Sequence, residues 1–439
     1  MSGRAGTTGA LRRYARRTTS KVAGVVRKHK PDYTILAYAT ILVVVGLIII
    51  FAIGPQRANL INGSFGGEVS STHFVVKQFS SVGLSIVAFF GCAFFLPIET
   101  LQRRSLWLMG AAVAACILLF ILGNVLHVTS VTQCALGACR WFILPGIGTF
   151  QPAELLKLAV LVYMAGFLAV RMRQGTVNDS NQTLIPAGVF LAVCIALVVL
   201  AQKDLGTGVA LLAIMAVMFI VAGLSKRTCL MIGGALLVLG MCMVIIAPHR
   251  MDRLATFLKG DEVGTDDPSA YHVTQAKIAI GSGGLFGVGV GNSVQATGYV
   301  PEAINDSIIA ILGETFGFVG LVFILAVFFL LLMRLLGIMD HSPNHTHKLL
   351  VAGVFGWIGS HVVINIMAMT GLIPLTGITL PFLSFGGTSM VFIAIALGLV
   401  LQASQYTTHN PNQKGETHDE GSGSRRRVGR ARYANSRSY

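Results

Sequence analysis

The stretch "GYVPEAINDSIIAILGETFGFVGLVFILAVFF", residues 298–329, decides how the rest of the chain is read. Its second half is an apolar run long enough to cross a bilayer, since a helix needs about 20 apolar residues to span the hydrocarbon. Its first half holds a Pro-Glu turn, and Asp306 stands where the apolar run begins. An ionisable group inside a span costs at least ~2.5 kcal/mol on insertion scales. A carboxylate at the mouth of a span therefore needs a reason.

Comparable apolar runs recur outward from this one, at roughly 33–54, 74–97, 105–127, 153–171, 184–201, 207–224, 228–247, 306–335, 347–369 and 388–405. Hydrophobic residues make up 54% of the 439, charged residues only 12%, and a soluble domain carries roughly twice that charged share. The pattern predicts an all-α polytopic membrane protein with ten transmembrane helices and a long loop, 248–305, between helices 7 and 8. The transmembrane domain spans 33–405, flanked by basic tails 1–32 and 406–439 whose composition predicts disorder. No cleavable signal peptide is visible ahead of the first run.

The formal net charge of +15 is unevenly placed. Lys and Arg concentrate in the N-terminal tail, in "QRR" (102–104), "RMR" (171–173), "SKR" (225–227) and the C-terminal "RRRVGRAR". With ten spans these segments share one side, which the positive-inside rule makes cytoplasmic, both termini included. Loops 55–73, 128–152, 202–206, 248–305 and 370–387 then lie outside. The basic tails are read as orientation signals attracted to anionic lipid, not as a nucleic-acid site.

Of seven Cys, five sit in spans and read as small apolar residues. Cys134 and Cys139 share an outside loop, where either a disulfide or two free thiols is chemically permitted. Within 248–305, "HRMDRLATFLKG" (249–260) reads as an interfacial helix, and "YHVTQAKIAIGS" (271–282) as a second one or a re-entrant segment. "GSGGLFGVGVGNS" (281–293) lacks the dinucleotide-site spacing. Its glycines, with Ser282 and Gly283, either aim backbone N–H groups at an anion or allow tight backbone packing.

The polar residues in apolar surroundings form the candidate site. Glu154 and Lys157 lie three apart on one helical face, close enough to pair. Glu314 reads as a hydrogen-bonding anchor about 12 Å deeper than Asp306 by helical rise. His361 and Asn365 read as contacts between helices. The outer face collects Arg140, Lys203, Asp204, Arg250, Arg253, Lys277, Glu302 and Asp306. Cations on the side that should lack them point to a bound anion, and a lipid-linked diphosphate fits, gripped by cations while its tail lies between helices. A carboxylate at that depth can act as a general base. The outer carboxylates could hold a divalent cation such as Mg or Mn, but no ligand spacing demands one.

"GACRW" (137–141), "FQPAELLKL" (150–158), "QKDLGTG" (202–208), "AIGSGGLFGVGVGNSVQ" (279–295), "VPEAINDSIIAILGETFGFVG" (300–320) and "GLIPLTGITLPFLSFGGTSM" (371–390) together resemble the SEDS family over about 33–405. The resemblance implies a peptidoglycan glycosyltransferase that polymerises lipid II outside the bacterial plasma membrane, with a class B penicillin-binding transpeptidase and other division proteins as partners. It implies that Asp306 matches the family's essential aspartate, Glu154 and Lys157 its paired Glu and Lys, and Asp204 the aspartate of its "QPDLGT" stretch. Lys203 replaces the usual proline there, Cys139 stands where Arg is common, and Ser307 replaces an aromatic. "GNSVQ" and "GITLPFLS" lean toward the FtsW branch over the elongation branch, RodA. A lipid II flippase would instead place its charges near the midplane, and a pure scaffold would make Asp306 dispensable.

Overall fold

The computed structural model describes residues 30–65, 68–135, 138–144, 148–225, 227–231, 233–234 and 268–407. Nine helices among them are long and apolar enough to cross a membrane. They are α1 (Thr34–Phe65), α2 (His73–Phe90), α4 (Ser105–Phe120), α5 (Pro152–Gln174), α6 (Ile185–Ala196), α7 (Leu205–Ala222), α9 (Ile308–His341), α10 (His345–Met369) and α11 (Gly387–Ser404). Helix α3 (Ile98–Arg103) and helix α8 (Pro268–Ser282) are short. Wide π-type turns extend α2, α4 and α6. Most of the expected seventh span, the interfacial helix at 249–260, Arg250, Arg253 and the two tails lie outside the described residues; 227–231 and 233–234 are helical.

The helices sort into two layers. Helices α5, α7, α10 and α11 are more than half buried, whereas the others expose most of their apolar surface. That exposed surface suits lipid, and the inner helices carry the buried Glu154, Lys157, His361 and Asn365. Two faces follow from the connections. One, the terminal face, carries Asp32 beside Arg334 and the α3 corner. The other, the loop face, carries 127–151, 202–204, 268–307 and 370–386.

The structure extends and corrects several expectations. Helix α1 continues through Pro55 to Phe65 instead of stopping at 54, so Arg57 rides on it. Proline removes one donor, and a helix this long tolerates the gap. The loop at 128–152 folds as an antiparallel sheet of β1 (Thr132–Ala135), β2 (Ala138–Leu144) and β3 (Gly148–Phe150), in that order. Cys134 and Cys139 are register partners across β1 and β2 and form a disulfide. The span expected from 306 begins at Ile308, so Asp306 sits in a turn ahead of the helix and the 12 Å helical-rise offset to Glu314 does not apply.

Helix α9 breaks at Gly317, whose φ of +67° no side-chain-bearing residue adopts easily. The broken ladder is completed by the glycine-rich loop. Phe318 N donates to Gly284 O at 2.9 Å and Val319 N to Leu285 O at 3.0 Å. In return Val288 N donates to Glu314 O at 2.9 Å and Gly289 N to Thr315 O at 3.1 Å. Contact is so close that a Cβ at Gly287 would lie 2.2 Å from Thr315 O. Of the two readings of this loop, the structure takes tight packing: these N–H groups are spent on carbonyls. Helix α8 runs beside the start of α9, with His272 at Ser307 and Ile280 at Gly313. The chain then reverses and returns to Pro301.

Candidate active site

The turn at 301–307 presents Asp306. Asn305 N and Ser307 N both donate to Glu302 O, at 2.9 and 3.3 Å. Three elements hold the turn from outside. Ser307 Oγ donates to Pro301 O at 2.8 Å and lies 2.5 Å from His272 Nε2 on α8. Phe385 N donates to Ile304 O at 2.7 Å. On α10, Asn365 Nδ2 donates to both Asp306 O and Ile378 O, each at 2.7 Å. Asp306 is 9% exposed and stands ahead of the N-terminus of α9, where the helix dipole favours a carboxylate.

The segment at 376–378 lies between the two aspartates. A Cβ at Gly377 would start 3.9 Å from Asp306 Oδ2. A Cβ at Gly206, two residues past Asp204, would meet Ile378 and Thr376 O at 2.8 and 3.2 Å. Asp204 caps α7: Oδ1 accepts from Thr207 N at 3.0 Å, and Oδ2 from Thr207 Oγ1 at 2.9 Å and Gln151 Nε2 at 3.0 Å. Both oxygens are thus engaged in holding the turn. Arg140 on β2 buttresses the same turn, with Nη2 2.8 Å from Lys203 O and Nε 3.3 Å from Gln202 O.

A buried polar chain runs on from this segment. Thr379 O accepts from His361 Nδ1 at 3.2 Å, and His361 Nε2 lies 3.4 Å from Lys157 Nζ. An ammonium can only donate, so Nε2 accepts and Nδ1 carries the proton. Lys157, fully buried, pairs with Glu154 Oε1 at 2.8 Å and sits 4.8 Å from the centre of the Trp357 ring. The chain Asp306–Asn365–Ile378 and Thr379–His361–Lys157–Glu154 joins the ion pair to the 301–307 turn through one backbone segment.

The remaining candidates are engaged in other contacts. Lys277 reaches the same loop from α8: a Cβ at Gly371 would lie 2.9 Å from its Cε. Glu302 turns to Arg57 at 3.9 Å and accepts from Asn305. Ser282 Oγ donates to Ala279 O at 2.9 Å, and Gly283 packs on Gly313 O, so both serve the hairpin. Glu314 accepts from Ser293 Oγ at 2.5 Å, Val294 N at 2.9 Å and Gln295 N at 3.2 Å, an anchor for the returning loop. Among the described residues no cluster of three His, Cys, Asp or Glu could hold a metal ion.

Sequence reasoning gave His361 and Asn365 a generic packing role and passed over Arg57, Gln151 and His272. Arg57 carried a usable signal: it is a cation on the face where positive-inside logic expects few.

The family model described as "Cell cycle protein", for FtsW, RodA and SpoVE, matches residues 32–409. Stage V sporulation protein E of Bacillus subtilis is 32% identical over 389 residues, covering 87% of this chain and 99% of that protein. The probable peptidoglycan glycosyltransferase FtsW of Nitrosomonas europaea is 31% identical over 377 residues, 85% and 93% of the two chains. Among solved structures, a chain from a peptidoglycan synthase complex superposes with a TM-score of 0.64 at 24% identity, covering 85% of this chain and 98% of that one.

Proposed function

Because this chain belongs to the FtsW, RodA and SpoVE family of cell cycle proteins, we propose that it is a peptidoglycan glycosyltransferase which polymerises lipid II on the outer face of the bacterial plasma membrane. The loop face is extracytoplasmic and both termini are cytoplasmic, as the Lys/Arg bias requires. The septal, FtsW-like role is favoured by the "GNSVQ" and "GITLPFLS" stretches, with RodA-like elongation as the alternative. A class B penicillin-binding transpeptidase and other division proteins are its partners.

The observation that supports this reading best is the placement of Asp306. Its carboxylate stands at a helix mouth on the loop face, with its main chain fixed by Asn365 and its oxygen facing Gly377, which has no side chain to block access. Asp306 takes the proton from the acceptor's 4-hydroxyl as that oxygen bonds to the donor's anomeric carbon. The bond from that carbon to the lipid diphosphate breaks, and the diphosphate leaves with the electron pair. Diphosphate is a good leaving group that nearby cations stabilise, so a single carboxylate suffices. Arg140, Lys203, Lys277 and Arg253 are assigned to the diphosphate, with Arg253 outside the described residues. Glu154 and Lys157 shape the floor of the site.

Flipping is disfavoured because the charged groups gather toward the loop face. Glu154 and Lys157 lie in the first two turns of α5, and Asp306 precedes α9. The test is polymerisation of purified lipid II by the protein with its cognate transpeptidase. A positioned base contributes roughly 10²–10⁴-fold, so Asp306→Asn should all but abolish glycan strands while folding and partner binding persist. Polymerisation by Asp306→Asn near the wild-type rate would place the base elsewhere. Labelling from outside of a Cys introduced at Ser269 checks the topology, and labelling only after permeabilisation overturns it.

A further inference from the structure

The terminal face holds a cavity of about 250 Å³ far from Asp306, lined by Glu99, Arg103, Arg173, Asn344, Thr346 and His347 among others. Three helix ends meet there: the C-terminal ends of α3 and α5, bearing Arg103 and Arg173, and the N-terminal end of α10, capped by Asn344. Helix C-termini and the positive-inside rule by themselves account for arginines on this face. They do not account for a cavity around which neither the Arg103 nor the Arg173 side chain hydrogen-bonds or ion-pairs with any described residue. A second, independent feature points the same way. The His347 side chain is 5% exposed, its Nδ1 has no hydrogen-bond partner among the described residues, and its Nε2 lies 3.9 Å from Glu99 Oε1. Its ring packs 5.6 Å from that of Tyr406.

We propose that this cavity binds the phosphate headgroup of an anionic phospholipid from the leaflet on the terminal face. Two guanidiniums with no side-chain partner among the described residues and a buried imidazole, at the positive end of the α10 dipole, form a cationic, donor-rich set opposed by one carboxylate, Glu99; the Thr346 N–H there is already taken by Asn344 Oδ1. Phosphate matches guanidinium geometry, and basic pockets between membrane helices take such headgroups. A lipid is favoured over a free phosphate by what flanks the cavity. Phe95, three residues before Ile98, and Trp107, four after Arg103, are 85% and 82% exposed. Large apolar and aromatic side chains so exposed mark the edge of the hydrocarbon, where acyl chains lie beside the headgroup.

The test is native mass spectrometry of the purified protein in detergent with equal amounts of phosphatidylglycerol and phosphatidylcholine. Wild type should retain phosphatidylglycerol in preference. Arg103→Gln with Arg173→Gln should lower that retention by roughly tenfold per arginine, the scale of a charge-assisted hydrogen bond. Glu99→Gln, on an exposed side chain, should raise it and carries the test if the double arginine variant fails to fold. Thermal stabilisation is measured in parallel with inorganic phosphate alone. Equal retention of the two lipids, or retention unchanged by the Glu99 and arginine substitutions, overturns the proposal. Stabilisation by phosphate that displaces phosphatidylglycerol overturns the lipid assignment.

Discussion

Lys157→Met is the sharpest probe of the buried network. Lys157 is fully buried and lies 2.8 Å from Glu154 Oε1. Glu154 Oε2 has no hydrogen-bond partner among the described residues. Removing the ammonium leaves a buried carboxylate with neither oxygen paired, which costs about 3–5 kcal/mol, or roughly 10²–10⁴ in the folding equilibrium. Glu154→Gln should cost less. The remaining ammonium keeps His361 Nε2 at 3.4 Å and the Trp357 face at 4.8 Å, and a desolvated cation–π contact contributes up to about 2 kcal/mol. The double variant buries no net charge and should recover most of the loss. The assay is reversible unfolding in mixed micelles followed by tryptophan fluorescence, since Trp357 is 1% exposed beside the pair. A coupling energy of at least about 2 kcal/mol is expected from the double-mutant cycle. Additive losses in the double variant, with a coupling below roughly 0.5 kcal/mol, would refute the pairing. A larger loss for Glu154→Gln than for Lys157→Met would refute the role given to Trp357 and His361.

Asn365→Leu removes both 2.7 Å bonds and leaves two buried carbonyls short of a donor, at about 1–3 kcal/mol each; polymerisation of lipid II should fall while the protein still reaches the membrane, and wild-type turnover would show that Asn365 does not position Asp306. Gly287→Ala places a Cβ 2.2 Å from Thr315 O at a φ of +80°, so the hairpin should detach from α9, read as faster proteolysis within 283–291; unchanged cleavage argues against the mutual completion of kink and loop. Lys203→Pro restores the residue common in the family yet should destabilise the protein, because Lys203 has φ +52° and proline is locked near −65°; a raised melting temperature would show that the turn adopts another backbone. Reduction of Cys134–Cys139 should lower stability by at most about 2 kcal/mol, as the closed loop is short, and free thiols in protein purified without reductant would exclude the bridge.

The membrane class, the helix positions and the identity of Asp306 as the carboxylate at a span mouth were legible in the sequence. Each rests on a local property: the length of an apolar run, the sign of its flanking charges, or the order of motifs along the chain. The sequence also paired Glu154 with Lys157, since three residues on one helix fix a shared face. Whatever depended on the return of a distant segment was decided by the tertiary structure. Asn365 is 59 residues from Asp306, and nothing in its own helix shows that its amide reaches the 301–307 turn. Glycines at 283, 287 and 317 read alike in sequence, whether they cradle an anion or complete a broken helix, because glycine's backbone freedom serves both. Only the position of the α9 carbonyls shows that the loop's N–H groups are already used. The sequence singled out Asp306 at its span mouth and left Asp204 as an outer carboxylate in a short turn, without showing what either oxygen touches. Packing separated them, by closing both oxygens of one into a helix cap and setting the other beside a glycine.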